Sequence, residues 1–185
     1  MPDTVEIWVV PLDPPDAELR RLLGLLSGEE RERAGEPPFP PRKRRYVARQ
    51  GALREILGRY TGIAPDELRI VRSSLAKPKL AGSDICFSVS DSAGLALVAV
   101  GRREVGVDVE LIRSRRAAEA APFPTEEFFE RWTRTEAVGK ARGTGLLRSR
   151  GGDRPMNCSS LDVGPGFAAA VAVAADEVEV RLRPY

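Results

Sequence analysis

Two short stretches constrain this chain more than any others: Gly106-Val107-Asp108-Val109-Glu110, and Trp132-Thr133-Arg134-Thr135-Glu136-Ala137-Val138-Gly139-Lys140. The first is a β-branched run carrying two acids. Residues two apart in a strand share a face, so Asp108 and Glu110 project together while Val107 and Val109 turn the other way. The second reads as helix, with Trp132, Glu136 and Lys140 one turn apart along a single stripe. A strand with two carboxylates facing a helix with a third offers oxygen ligands to Mg²⁺, which keeps several waters and takes a few carboxylates plus substrate phosphates. Lys140, one turn beyond Glu136, would neutralise such a phosphate. Each stretch alone also has an ordinary reading, as the solvated face of a half-buried strand and as an i,i+4 pair on a helix surface. Their occurrence together and in this order separates the two readings.

Composition narrows the chemistry. The chain has 185 residues, 42% hydrophobic and 30% charged, long enough for a substantial core and typical of a soluble globular protein. There is no histidine, so histidine catalysis and histidine metal ligands are excluded, and carboxylates, lysines, arginines and water remain. A net charge of +2 does not by itself imply a nucleic-acid or membrane partner. Cys86 and Cys158 give no disulfide framework. The start, MPDTVEIWVV, lacks a basic n-region, and no apolar run approaches a bilayer span. No signal peptide is expected, and the expected location is the cytoplasm.

Along the chain, Val5–Val10 reads as a strand stopped by prolines, followed by a helix with Asp16 as its N-cap and Leu19, Leu22, Leu23 and Leu26 at helical spacing. Ser27 is a second N-cap candidate, and Glu29–Arg33 reads as a solvated charge cluster. After the proline-rich segment Gly35–Pro41 comes a basic helix from about Arg42 to Tyr60, with Arg42, Lys43, Arg44, Arg45, Arg49 and Arg54 as its positive side. Lys77-Pro78-Lys79-Leu80 reads as a proline turn. Phe87–Ser92, Leu95–Val100 and Val105–Leu111 suggest an antiparallel meander. Thr125 begins a helix that Gly143 ends. Thr144–Asn157 reads as loop, and Phe167–Ala174 with Val178–Arg183 as a closing hairpin.

At the two opening stretches the chain resembles the Sfp-type 4′-phosphopantetheinyl transferases, whose pattern is a G-[IV]-D-[IV]-E strand followed by a W-x-x-K-E-A-x-x-K helix. GVDVE matches fully, and WTRTEAVGK matches at Trp132, Glu136, Ala137 and Lys140, with Thr135 where the family has lysine. Lys77-Pro78 resembles the family's G-K-P-x-L segment, with Ala76 for the glycine. Phe87–Ser92 resembles F-N-[IV]-S-H-S, with Asp91 for the histidine. The stretch from Glu110 to Trp132 is shorter than in the family.

The resemblance implies an α+β fold of two similar halves about a pseudo-twofold, each a helix packed on a mostly antiparallel sheet. Residues 1–103 would form the coenzyme A-binding half, residues 104–185 the metal-binding and catalytic half, with the active site between them. It implies Mg²⁺-dependent transfer of the 4′-phosphopantetheine arm of coenzyme A to a serine of an acyl or peptidyl carrier protein, releasing 3′,5′-ADP. Asp108, Glu110 and Glu136 would hold the metal. Glu136 would act as base, and Lys140 would stabilise the departing nucleotide. Arg45 would meet the 3′-phosphate, supported by Arg33, while Lys77, Pro78, Ser90 and Asp91 would line the rest of the coenzyme A site. A monomer is expected, with no nucleic-acid or membrane partner. Two other readings are a non-catalytic relative that binds coenzyme A or a carrier protein, and a nucleic-acid-binding protein using the basic helix. The second would show steeply salt-dependent binding.

Overall fold

A computed structural model of the chain describes residues 3–72, 77–112, 125–143 and 156–185. The connection read over Arg113–Pro124, and all but the end of the loop read over Thr144–Asn157, lie outside the described residues. The elements in order are β1 (Asp3–Pro11), α1 (Asp16–Gly24), α2 (Gly28–Ala34), α3 (Pro41–Thr61), β2 (Ile70–Arg72), β3 (Pro78–Leu80), β4 (Cys86–Ser92), β5 (Leu95–Gly101), β6 (Val105–Leu111), α4 (Glu126–Arg142), β7 (Asn157–Ser160), β8 (Phe167–Val173) and β9 (Val178–Pro184). This is the α+β mixture expected. None of the described helices is long and apolar enough to cross a membrane.

Strand alternation builds four layers. One sheet has the order β4-β5-β1-β9 and another the order β6-β8-β7. On β1, Trp8 and Val10 turn toward α3, while Val5 and Ile7 turn toward the second sheet. On β5, Ala96, Val98 and Val100 join the α3 core, and Leu97 and Ala99 the core between the sheets. Val105, Val107 and Val109 of β6 and Ala169, Val171 and Val173 of β8 complete that inner core. The opposite face of the second sheet takes α4, through Ala137 and Ala141 against Ala170 and Ala172. The two sheets thus lie back to back with a helix outside each.

Helix ends follow the local signals. Ser27 caps α2 in a reciprocal capping box with Glu30. Thr125 accepts from the Phe128 amide to start α4, and Gly143, at φ 70°, ends it. Asp16 is the first helical residue of α1, not its cap: Pro15 holds the cap position, and the acid instead favours the positive end of the helix.

Three expectations about strands are corrected. Lys77-Pro78-Lys79-Leu80 is not a turn, since Pro78–Leu80 pairs antiparallel with β2. The meander stops after two strands: β4 and β5 pair, but β6 crosses to the second sheet and pairs with β8. The closing segments form no hairpin. β8 lies between β6 and β7, while β9 returns to the first sheet, parallel to β1. Alternation identifies a strand's buried face without naming its neighbour, and the turn residues Asp176-Glu177 suit either path.

Candidate active site

The opening motif sits where the two sheets meet. β6 is an edge of its sheet, and an edge strand presents unpaired amides. Here the amides of Val107, Val109 and Leu111 donate to the hydroxyls of Ser88, Ser90 and Ser92 at 3.1, 3.4 and 3.0 Å. Alternate serines of β4 therefore stand in for a neighbouring strand, which explains a serine at every second position of Phe87–Ser92.

Gly106, Asp108 and Glu110 share the face toward α4. A Cβ on Gly106 would stand 2.0 Å from the Ala137 carbonyl oxygen and 2.4 Å from the Ala141 amide nitrogen. Only glycine lets α4 approach this closely, and that approach carries Lys140 to Asp108. The Lys140 ammonium lies 2.7 Å from Asp108 Oδ1 and 2.8 Å from Ser90 Oγ. Ser90 in turn donates to the same Oδ1 at 2.8 Å. Asp108 is 4% exposed, and its Oδ2 is buried with no hydrogen-bond partner. Ser92 Oγ donates to Glu110 Oε2 at 3.1 Å.

Glu136 lies on α4 one turn before Lys140. Burial raises its pKa above the ordinary carboxyl value, and the negative charge of Asp108 adds to this. Lys140 opposes the shift and Glu110 reinforces it. Asp108, Glu110 and Glu136 are therefore close enough to feel one another. Among the described residues, however, no three acid, cysteine or histidine side chains are gathered tightly enough to hold a metal ion. Trp132, a turn earlier on the same stripe, is 37% exposed and stacks on Phe128 with ring centroids 6.1 Å apart.

Lys140 also borders a cavity of about 590 Å³ lined by α2, α3, the strands β2 to β4 and the end of α4. Arg33, Arg49, Arg54, Lys77 and Lys140 outnumber Glu29 and Glu30 around it, over an apolar lining that includes Leu53, Phe87 and Val89. The cationic walls and apolar lining suit a molecule with phosphates at one end and an apolar part at the other.

The chain is 35% identical to the 4′-phosphopantetheinyl transferase HetI of Nostoc sp., over 79% of this chain and 71% of the relative. The chain belongs to the 4′-phosphopantetheinyl transferase family. A second relative, slr0495 of Synechocystis sp., bears the same activity in its name as a provisional assignment. It is 27% identical over 76% of this chain, which spans 65% of that protein's length. No protein-family model matches the chain.

Against the 4′-phosphopantetheinyl transferase pattern, the residues expected at the site fall into two groups. Asp108, Glu110, Glu136, Lys140 and Ser90 converge between β4, β6 and α4, while Arg33, Lys77 and Pro78 border the cavity. Arg45 does not border it. Its guanidinium grips Asp13 through two hydrogen bonds of 2.9 and 2.8 Å at the protein surface. Lys77 is half-buried and pinned to backbone, its ammonium donating to Ala141 O at 2.9 Å and Val105 O at 3.3 Å, and burial lowers its pKa. Arg54 borders the cavity but is 2% exposed and paired with Glu30 at 2.5 Å. Asp91 pairs with Arg49 at 2.5 Å.

Three residues near the site carry more than their sequence signal indicated. Arg49 reads as one of several arginines on a helix face, yet it borders the cavity with its Nε buried and unpartnered. Ser92 reads as the polar end of the strand Phe87–Ser92 but holds Glu110. Gly106 reads as part of a motif, and the contact with α4 supplies its reason.

Proposed function

We propose that this chain transfers the 4′-phosphopantetheine arm of coenzyme A to a serine hydroxyl of an acyl or peptidyl carrier protein, with Mg²⁺, and that the reaction takes place between β6 and α4. Family membership supports the reaction class. The observation that carries the assignment to this site is the convergence of Asp108, Glu110, Glu136 and Lys140 beside a cavity with cationic walls.

The donor chemistry suits Mg²⁺, three carboxylates being the oxygen ligands it takes, although their side chains are not gathered into a metal-holding group here. Asp108 Oδ2 is a buried carboxylate oxygen with no donor, and burying such a group unpaired is costly. Burial first, and then repulsion from Asp108 and Glu110, raises the Glu136 pKa, and a divalent cation would relieve that repulsion. Asp108, Glu110 and Glu136 would hold the ion, which when bound would neutralise charge on the pyrophosphate.

The chain's own groups account for the remaining chemistry. The carrier serine oxygen attacks the β-phosphorus of coenzyme A, the bridging phosphorus–oxygen bond breaks, and 3′,5′-ADP leaves with the bridging oxygen. Glu136, with its raised proton affinity, accepts the serine proton. Lys140, on the cavity edge, meets the negative charge of the departing nucleotide. Arg49, Arg33, Lys77 and Pro78 line the coenzyme A site, and the apolar wall takes the less polar part of the ligand. The side built on α3 contributes most of the cationic wall, and β6 with α4 contributes the acids and Lys140.

Incubation with coenzyme A, Mg²⁺ and a panel of apo-carrier proteins, read by intact mass, tests the proposal. A carrier should gain the mass of one phosphopantetheine arm in a Mg²⁺-dependent way. Coenzyme A binding without transfer to any carrier would instead favour a non-catalytic relative.

A further inference from the structure

The alternating serines of β4 and the alternating residues of β6 form one repeated unit. Ser90 accepts from the amide of Val109 and donates to the side chain of Asp108. Two residues on, Ser92 accepts from the amide of Leu111 and donates to the side chain of Glu110. In both, the serine takes the amide that follows the acid and gives its own proton to the acid. Two residues back, Ser88 accepts from the amide of Val107, but the preceding residue is Gly106, which has no side chain to hold. A hydroxyl has one proton. Those of Ser90 and Ser92 go to carboxylates, which fixes the direction each carboxylate faces.

We propose that Ser92 is a positioning residue, its hydroxyl orienting the Glu110 carboxylate for metal binding as the Ser90 hydroxyl orients Asp108. This rests on the reading of Asp108 and Glu110 as metal ligands. Loss of a partner that orients a ligating group typically costs about 10–100-fold in metal affinity. The Ser88 unit makes the same amide contact with no carboxylate attached and so controls for that contact, with coenzyme A affinity measured alongside because Ser88 also borders the cavity. A purely structural role would make Ser88 and Ser92 equivalent.

The test is calorimetric titration of Mg²⁺ into the coenzyme A-saturated protein without carrier, so that no turnover occurs, together with urea unfolding of each variant. Ser92→Ala should weaken Mg²⁺ by about tenfold. Ser92→Thr, which keeps the hydroxyl, should restore the affinity. Ser88→Ala should lose stability as Ser92→Ala does but leave Mg²⁺ affinity unchanged. In a Glu110→Gln background, Ser92→Ala should cause no further loss, the mark of two groups acting as one. If Glu110→Gln weakens Mg²⁺ while Ser92→Ala does not, or if Ser88→Ala weakens it as much as Ser92→Ala, the positioning role is overturned. If Glu110→Gln itself binds Mg²⁺ as the wild type does, the metal reading fails and takes the positioning role with it.

Discussion

Lys140 reaches from α4 to Asp108 on β6, its ammonium 2.7 Å from a carboxylate that is almost wholly buried. The pair ties the helix to the strand. Removing one member of a buried pair leaves the other uncompensated, which costs about 3–5 kcal/mol when both are dry. The Lys140 side chain is 30% exposed, so water offsets part of that. Lys140→Met should therefore destabilise the protein by roughly 2 kcal/mol in urea unfolding. Adding Asp108→Asn to that variant should recover part of the loss, since the orphaned charge is then gone.

Gly106 sets how closely α4 lies on β6. A methyl group added there would meet backbone atoms of Ala137 and Ala141 at 2.0 and 2.4 Å, so no side-chain rotation relieves the clash and the helix must shift. Gly106→Ala should cost at least about 3 kcal/mol, the upper range for overpacking. It should also abolish transfer under conditions where circular dichroism shows the chain still folded, because the Lys140–Asp108 contact depends on that approach.

The β6–α4 pairing was legible in the sequence because its signals are local. Alternation put Asp108 and Glu110 on one face, helical spacing aligned Glu136 with Lys140, and Thr125 and Gly143 bounded the helix. The strand neighbours were not legible, because alternation in Phe167–Ala174 and Val178–Arg183 marks faces and leaves partners open. Nor was the choice among arginines. Arg45, Arg49 and Arg54 all belong to the polar pattern of one helix, and partners distant in sequence decide their fates: Asp13 takes Arg45, Asp91 takes Arg49 and Glu30 takes Arg54. The serine ladder was hidden for a related reason. Ser88, Ser90 and Ser92 look like polar residues of a half-buried strand until β6 lies beside them.

The division among arginines predicts a division in binding. Arg49 has a buried, unpartnered Nε beside the cavity, and hydrogen bonds to charged groups contribute about 1.5–3 kcal/mol. Arg49→Ala should weaken coenzyme A by at least about tenfold in calorimetry. Arg45→Ala should weaken it much less, because its guanidinium already serves Asp13. Asp91→Ala should leave transfer in place and should not weaken coenzyme A, since it removes a negative charge and releases Arg49.

Acid stability should report the network under α2. Burial opposes ionisation of Glu30, but the hydrogen bond from Arg54, the Ser27 amide and Gln50 together bring its pKa below the usual 4.5. A depressed carboxyl pKa contributes stability that is present above the unfolded value and lost as pH falls through the folded one. Wild-type stability should therefore decline as pH drops below about 4.5, the unfolded value. Glu30→Gln should be less stable at neutral pH and show a shallower acid decline, measured by urea unfolding across that range.

If the acids and lysine between β6 and α4 carry out the transfer, the charge on Asp108 is indispensable. Asp108→Asn keeps the size of the side chain, and its amide can still take the proton of Ser90, but the variant loses that charge. The deciding measurement is its single-turnover rate of phosphopantetheine transfer, under saturating coenzyme A, Mg²⁺ and a carrier the wild type modifies, with folding verified by circular dichroism. The rate should fall by at least about 100-fold, as expected when a group stabilising developing charge is removed. A folded Asp108→Asn protein that transfers at the wild-type rate would show that the reaction does not depend on this site.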